Sequence, residues 1–471
     1  MWQRASVQRT ERATGDGASS CDDLGQPQGC TSGTLFGFDS EDDSSAGSSD
    51  DENATESPST MRRRKSGLLT SLIVCSILTS GLGRDIKWRR TRKDWDGYLR
   101  GMPRSHFSRM FRMDHDTFMH ILHTVGPHLS RNFHQSERSG GFVSPSLQLG
   151  MTIRWLAGGS YLDIHDSYGV SKSTFYRLVF QCCEVITEKF PIVFPTDVRS
   201  LERLARDFSK RQHWYMRVFK GVIGAIDGIL IKIRCPSTKE VGMPKHYFCR
   251  KGFFALNVQA ICDVRYRFTF VSMDMPGATH DARAFSFSAL FEALNAGMIP
   301  AGFYFLGDAA YRGIRQILAP FIGNQSARES VFSFYHSSVR MAIECAFGQL
   351  VSRWGILWRP LRVPLRHAPV VVETCMCLHN ILIDRNVPVE IRPPVVSRSR
   401  GASMPTERPH INNNGGPGSL LSGDGAGGTD DTSNMSALRE FITVQMGELE
   451  MKRPATSIER MRIQSQYLYD E

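Results

Sequence analysis

The chain predicts a mixed α/β protein: a mixed sheet with flanking helices, preceded by an all-helical region. Three observations carry this. Apolar, β-branched runs at 221–233, 253–261 and 267–273 read as three consecutive strands, and a helix and a further strand at 303–307 follow them. Residues 95–215 instead set apolar side chains at helical spacing. Strands that give way to helix and then strand fit a mixed sheet covered by helices.

Length and charge come next. At 471 residues the chain has room for two or three domains and a sizeable core. Its formal charge of +10 hides a segregation: residues 1–60 hold 12 acids against 3 bases, leaving 54 bases against 35 acids beyond them, or +19. A body that basic suggests a polyanionic partner, since each cation laid on a phosphate releases counterions. Plain solubility is the other reading. The eleven cysteines show neither disulfide nor zinc rhythm, so buried reduced thiols are expected and a structural zinc is not.

Taken in order, residues 1–60 read as a disordered acidic tail of Ser, Gly and acid. Residues 61–94 form a basic–apolar–basic segment, with Arg62-Arg-Arg-Lys65 before Gly67-Leu-Leu-Thr-Ser-Leu-Ile-Val-Cys-Ser-Ile-Leu78. That run is shorter than the ~20 apolar residues a membrane span needs. A buried helix between nuclear-import-type clusters is favoured over an anchor, which points to the nucleus and away from membranes.

Residues 95–215 are expected to be a helical DNA-binding domain. Phe107, Phe111, Phe118 and Ile121 mark the first helices, with Asp114 as a cap, and Leu147–Ala157 marks another, ending at Gly158-Gly159. Ser160 to Arg177 has the shape of a helix-turn-helix: a short helix to Ser167, a sharp turn at Gly169, and a second helix capped by Ser171 or Ser173. In that motif the second helix enters the major groove, which makes Lys172, Ser173, Thr174 and Arg177 candidate DNA contacts. An ordinary helical hairpin is the alternative.

Residues 216–385 hold the candidate catalytic domain. Asp227 lies in the first apolar run, Asp308 directly follows Phe303-Tyr-Phe-Leu-Gly307, and Glu344 borders the helical stripe of Val339, Ile343, Phe347 and Leu350. Carboxylates are the ligands Mg²⁺ prefers, and two such ions can activate a nucleophile and stabilise the leaving oxygen in phosphodiester cleavage. Each acid also has a bland account: a turn former or cap for the aspartates, and a solvated face or a pair with Arg340 for Glu344. Lys245, Arg250 and Lys251 alternate with aromatics in the polar loop 235–251, a pattern suited to phosphate contact and base stacking, or to a solvated loop. Asp281 could cap the next helix. No Walker-type loop appears, so nucleotide hydrolysis is not supported. Beyond this domain, 386–435 reads as a disordered linker and 436–471 as a C-terminal helix.

Gly224-Ala-Ile-Asp-Gly228, Pro276-Gly-Ala-Thr-His-Asp-Ala-Arg283, Leu306-Gly-Asp-Ala-Ala-Tyr311, Ile343-Glu-Cys-Ala-Phe-Gly348 and Cys377-Leu-His-Asn-Ile381 stand in fixed order. Over roughly residues 95–385 the chain resembles the Harbinger-type DDE transposases and their domesticated relatives. The resemblance implies an RNase H-like catalytic domain and a triad at Asp227, Asp308 and Glu344. It also implies Mg²⁺- or Mn²⁺-dependent cleavage and joining of DNA at transposon ends, and it places His280 and Asp281 in a loop beside the metal site. A helix-turn-helix at 160–177 fits the same family, as does a Myb-like accessory protein. Double-stranded DNA and a homo-oligomeric partner copy complete the expectation. Two departures bear on activity more than on fold: Gly-Asp-Ala-Ala-Tyr-Arg in the second acidic motif, and Cys345 after Glu344 where the family has Arg. The rival reading is a domesticated DNA- or chromatin-binding protein that no longer cuts.

Overall fold

The computed structural model describes residues 94–129, 142–211, 218–388 and 429–453. The acidic tail and the basic–apolar segment, with its membrane-or-helix alternative, lie outside the described residues, as does most of the linker.

Helices come first. They are α1 (Trp95–Arg100), α2 (Arg104–Phe111), α3 (His115–Val125), α4 (Pro145–Leu156), α5 (Tyr161–Ser167), α6 (Lys172–Lys189) and α7 (Val198–Arg211). Their starts are written in the sequence: Asp114, Ser144, Ser160 and Ser171 each accept a hydrogen bond from a first-turn backbone N–H through the side chain. The Trp95 indole donates to Ser146 Oγ at 2.7 Å, and its ring lies against Gly150, where a Cβ would collide with it. Between α5 and α6, Gly169 takes φ +65°, the left-handed turn a side chain disfavours.

The sheet follows. Its strands are β1 (Val222–Lys232), β2 (Ala255–Cys262), β3 (Phe268–Pro276), β4 (Tyr304–Leu306) and β5 (Ile317–Leu318), in spatial order β3-β2-β1-β4-β5. β1 runs antiparallel to β2 and parallel to β4, so the sheet is mixed, as RNase H-like sheets are. The intervening helices are α8 (Thr238–Val241), α9 (Asp281–Ser286) and α10 (Ala289–Asn295). After the sheet come α11 (Ala327–Arg353), α12 (Ala368–Asp384) and α13 (Thr429–Glu448).

Alternation along β1 sends side chains to two helical layers. Ala225 and Ile231 join Val258 and Ala260 of β2 against Ile343 and Phe347 of α11. Ile226 joins Ile261, Phe285 and Phe305 against Leu201 of α7, and the register shift between Val222 and Gly224 brings Ile223 into the same cluster. Both faces are therefore dry. At ~25 cal/mol per Å² of apolar surface removed from water, each fully buried Ile or Phe contributes roughly 1.5–3 kcal/mol toward holding strand to helix.

α12 belongs to both halves of this body. It packs on α6, where Thr374 Oγ1 donates to the carbonyl of Cys183, and it also packs on β3. There the Asn380 amide satisfies both the N–H and the C=O of Phe268, and the His379 ring hydrogen-bonds the carbonyl of Tyr266.

Three expectations change. The loop 235–251 is not wholly irregular: it holds α8 and a 3₁₀ turn at Pro244–Tyr247. The short strand β5 is an addition. The C-terminal helix starts at Thr429, inside the expected linker, and ends at Glu448, with 454–471 outside the described residues. It buries Ile442 and Met446 beside Phe332 and Tyr335 of α11. Among the described residues, no helix is long and apolar enough to cross a membrane.

Candidate active site

Strand register brings the two aspartates together. Ala225 of β1 pairs with Leu306 of β4, and β4 ends there. Asp227 and Asp308 each lie two residues further on, at the open end of this parallel pair. Glu344 approaches from α11, which covers β1 on the Ala225 face. Asp227 is only 2% exposed, while Asp308 and Glu344 are half-buried.

Arg340 ties the first acid to the third. Its guanidinium reaches Asp227 Oδ2 at 3.2 Å through one terminal nitrogen and Glu344 Oε1 at 2.7 Å through the other. The local pairing of Arg340 with Glu344 is therefore real, and it extends to an acid 113 residues away in the chain. Asp308 has its own local duty, accepting from the N–H of Ala310 at 2.9 Å as the cap of a 3₁₀ turn.

Burial pushes the Asp227 carboxyl up to about 7; Arg340 opposes the rise, and Asp308 and Asp281 reinforce it. The carboxyl of Asp308 is raised as well, first by burial, with Asp281 adding to it while the Ala310 N–H and Arg340 work against it. Two acids held above their ordinary range, mainly by burial, where β4 ends beside β1 mark a candidate functional site.

A fourth acid stands beside them. Asp281 does not cap α9: His280 is the cap residue and makes no side-chain cap bond. Instead Asp281 Oδ1 accepts from Asn257 Nδ2 at 3.1 Å and from Gln259 Nε2 at 3.0 Å. Gln259 Oε1 in turn accepts from the buried Tyr311 hydroxyl at 2.6 Å. Gly228 leaves the space for this chain of bonds, because a Cβ there would collide with both Asp281 and Gln259. His280 is exposed, and its charge acts on Asp308. Sequence reasoning missed Asn257, Gln259 and Tyr311. The available signal was a pair of polar residues two apart in a strand otherwise built of apolar side chains.

The donor chemistry suits a hard divalent cation, since every candidate ligand is a carboxylate oxygen. The side chains stand in the arrangement where Arg340 supplies the positive charge. Among the described residues, no three Asp, Glu, His or Cys side chains converge closely enough to hold one ion in that arrangement.

The candidate DNA contacts fall in two places. Lys172 is exposed with its ammonium 5.4 Å from the centre of the Tyr161 ring, Ser173 Oγ lies 3.1 Å from Ser171 Oγ, and Thr174 takes the Ser171 cap bond. Arg177 is exposed one turn on. The second group borders the acids: the carbonyl of His246 accepts from the N–H of Ala278, which docks the Lys245 loop onto the loop that carries His280. Lys245 and Arg250 are exposed. Burial, then Arg250, lowers the Lys251 ammonium, while Asp281 and Asp227 pull it back up, so it senses the acid cluster.

Residues 226–380 match the family of DDE superfamily endonucleases. The human protein HARBI1, provisionally named a nuclease, is 26% identical over 327 residues, covering 68% of this chain and 87% of that protein. An Arabidopsis thaliana protein called ALP1-like is 25% identical over 319 residues, covering 62% of this chain and 75% of its own. A second Arabidopsis thaliana protein, named antagonist of like heterochromatin protein 1, is 25% identical over 300 residues, covering 59% and 73%. No solved structure matches significantly. The mixed sheet, the matched segment spanning Asp227 to Glu344 and these likenesses agree: residues 226–380 match the DDE superfamily endonucleases, and the chain around them is similar to HARBI1 and to the ALP1-like protein.

Proposed function

We propose that the protein is a metal-dependent DNA endonuclease that cuts and joins phosphodiester bonds at transposon ends. The observation that carries this reading is the gathering of Asp227 and Asp308 at one strand end, with Glu344 drawn in through Arg340. Asp227, Asp308 and Glu344 would hold Mg²⁺ or Mn²⁺, which when bound would activate the attacking oxygen and stabilise the leaving one. The chain's own groups prepare the place. Buried and crowded, Asp227 holds a proton up to about pH 7 when alone, and a bound cation would favour its ionised form. Arg340 screens the acids from one another until then. Asn257, Gln259 and Tyr311 fix Asp281 at the rim, and Lys251 carries positive charge to the same rim, where a DNA phosphate would lie.

In this reading Lys172, Ser173, Thr174 and Arg177 at the start of α6 grip double-stranded DNA, and Lys245, Arg250 and Lys251 hold the strand to be cut. Nuclear location follows from a DNA substrate. A Myb-like accessory protein and a second copy of the chain complete the proposed assembly.

The test is nicking of duplex DNA in Mg²⁺ and in Mn²⁺ by the native chain, compared with Asp227→Ala, Asp308→Ala and Glu344→Ala. Metal-dependent cleavage abolished in all three variants is expected. Cleavage that survives any one of these substitutions refutes the triad. A second reading, DNA binding without cleavage, draws on the Arg340 bridge that already neutralises Asp227 and Glu344. Binding with no metal-dependent cleavage, with the accessory protein present, would establish it instead.

A further inference from the structure

Helix α7 (Val198–Arg211) is sharply two-sided. Leu201 is buried and Leu204 and Ala205 half-buried beside Ile223 and Ile226 of β1, while Phe208 is buried in the neighbouring cluster that holds Val222 of β1. Arg199, Arg203, Arg206 and Lys210 are all exposed. Their spacing of four, three and four residues, at about 100° per residue, confines the four cations to an arc of roughly 60° on the side opposite the apolar face. With a rise of about 1.5 Å per residue the row is straight and roughly 16 Å long.

These charges are not used up inside the protein. Glu202 stands four residues before Arg206, and Arg203 four before Asp207, spacings that commonly close into pairs. Among the described residues, none of the four cations forms a salt bridge in this structure. The charge of Arg203 is felt by Asp197 at the start of the helix, and Glu202 and Asp207 flank the row without lying in it. Four like charges in one row, with no salt bridge among the described residues, repel one another, and an anion of matching shape relieves that repulsion. A DNA strand advances about 3.4 Å along the duplex axis per phosphate, so a row of roughly 16 Å runs past about five phosphates.

We propose that α7 is a second DNA-backbone contact, a rail of four cations that holds the duplex against the α/β body without reading its sequence. It rests on the DNA-cleaving reading above and adds a surface that neither α6 nor the Lys245 loop supplies. The helix is seated directly on β1, so the rail is fixed to the strand that carries Asp227. Backbone contacts of this kind position a duplex and leave base discrimination to other elements.

The experiment measures binding of the full chain to a duplex of arbitrary sequence by fluorescence anisotropy, across a series of KCl concentrations, without divalent metal. The variant carries Arg199→Gln, Arg203→Gln, Arg206→Gln and Lys210→Gln together, and a companion carries the three arginines as Lys. Each phosphate contact contributes about 0.9 to the slope of log affinity against log salt, so loss of four lowers the slope by roughly 3 to 4. The Lys companion should keep the native slope, because charge and not shape is what the rail supplies. Circular dichroism melting of both variants, expected to match the native chain, shows that α7 still packs on β1. A glutamine variant that is folded and binds with the native slope overturns the rail while leaving the nuclease reading intact. Native chain that binds no duplex, alone or with the accessory protein, overturns both.

Discussion

Asp227→Asn isolates the electrostatic strain stored at the strand end. The carboxyl rises from its usual 3.8 to about 7 because burial disfavours its charge more than Arg340 favours it. The folded protein thus holds this proton more tightly than the unfolded chain does. Well below pH 3.8 both states are protonated and the residue costs nothing. As pH climbs through the window from 3.8 to 7 the unfolded chain ionises first, and stability falls. Above that window the full penalty is present, about 4 kcal/mol at 1.36 kcal/mol for each pH unit of displacement. Asparagine keeps the volume and removes the titration. It also weakens one contact to Arg340, which retains Glu344, and a hydrogen bond to a charged group is worth about 1.5–3 kcal/mol. The variant is therefore expected to be less stable than the native protein near pH 4 and level with it or more stable near pH 8. The difference between the two should swing by up to about 4 kcal/mol across the window. Urea unfolding of both proteins over this range, without metal, reads the swing directly. Stability curves that stay parallel from acid to neutral pH would refute the reasoning. Mn²⁺ provides the complementary measurement: by favouring ionised Asp227 it should flatten the fall of the native curve and leave the variant unaffected.

Gly228→Ala should fold but displace Asp281 from Asn257 and Gln259, since the new methyl meets both partners, and cleavage is expected to drop at least tenfold; native activity would show that Asp281 is idle. Tyr311→Phe removes the hydroxyl that satisfies Gln259 and is expected to cost about 1–3 kcal/mol in chemical denaturation, with no loss meaning that another donor replaces it. His336 and His379 are buried and held neutral, their rings pushed down to about 4 by desolvation. The unfolded chain protonates them first as pH falls from 6.5 toward 4, so each withdraws about 3 kcal/mol of stability over that window, opposite in sign to Asp227. His379→Gln should make the acid limb shallower by one proton, and an unchanged proton uptake on unfolding would count against it. Ser171→Ala removes the cap of α6 and should cost about 1 kcal/mol, while binding to DNA weakens because the first turn frays; tight binding at lowered stability would separate the cap from recognition.

Much of this architecture was legible because its signals are local. β1 and β4 announce themselves as apolar runs, and α11 as a stripe of Val339, Ile343, Phe347 and Leu350 around Glu344. What escaped depends on contacts between distant segments. β5 is two residues long and exists because Ile317 and Leu318 find β4. Arg340 reads along the chain as a neighbour of Glu344, and only the packing of α11 on β1 reveals its bond to Asp227. Asp281 looks like a helix cap at its position, yet amides from β2 claim its oxygen across 22 and 24 residues. Period and propensity do not register such bonds, because the partners become adjacent only when the sheet closes. The start of α13 inside the expected linker has a related cause: its buried residues find their partners on α11, far back in the chain.

Helix α12 carries a mechanical consequence. Thr374 bonds the helix to α6, and Asn380 bonds it to β3 by clamping both backbone groups of Phe268. Such a shared strut admits little hinge motion, so the spacing between α6 and the strand end behaves as a gauge set by the fold. For a duplex gripped at α6, the phosphate presented to the acids would be chosen by counting along the DNA. Its offset from the gripped sequence would be a constant of the molecule, independent of the sequence lying between.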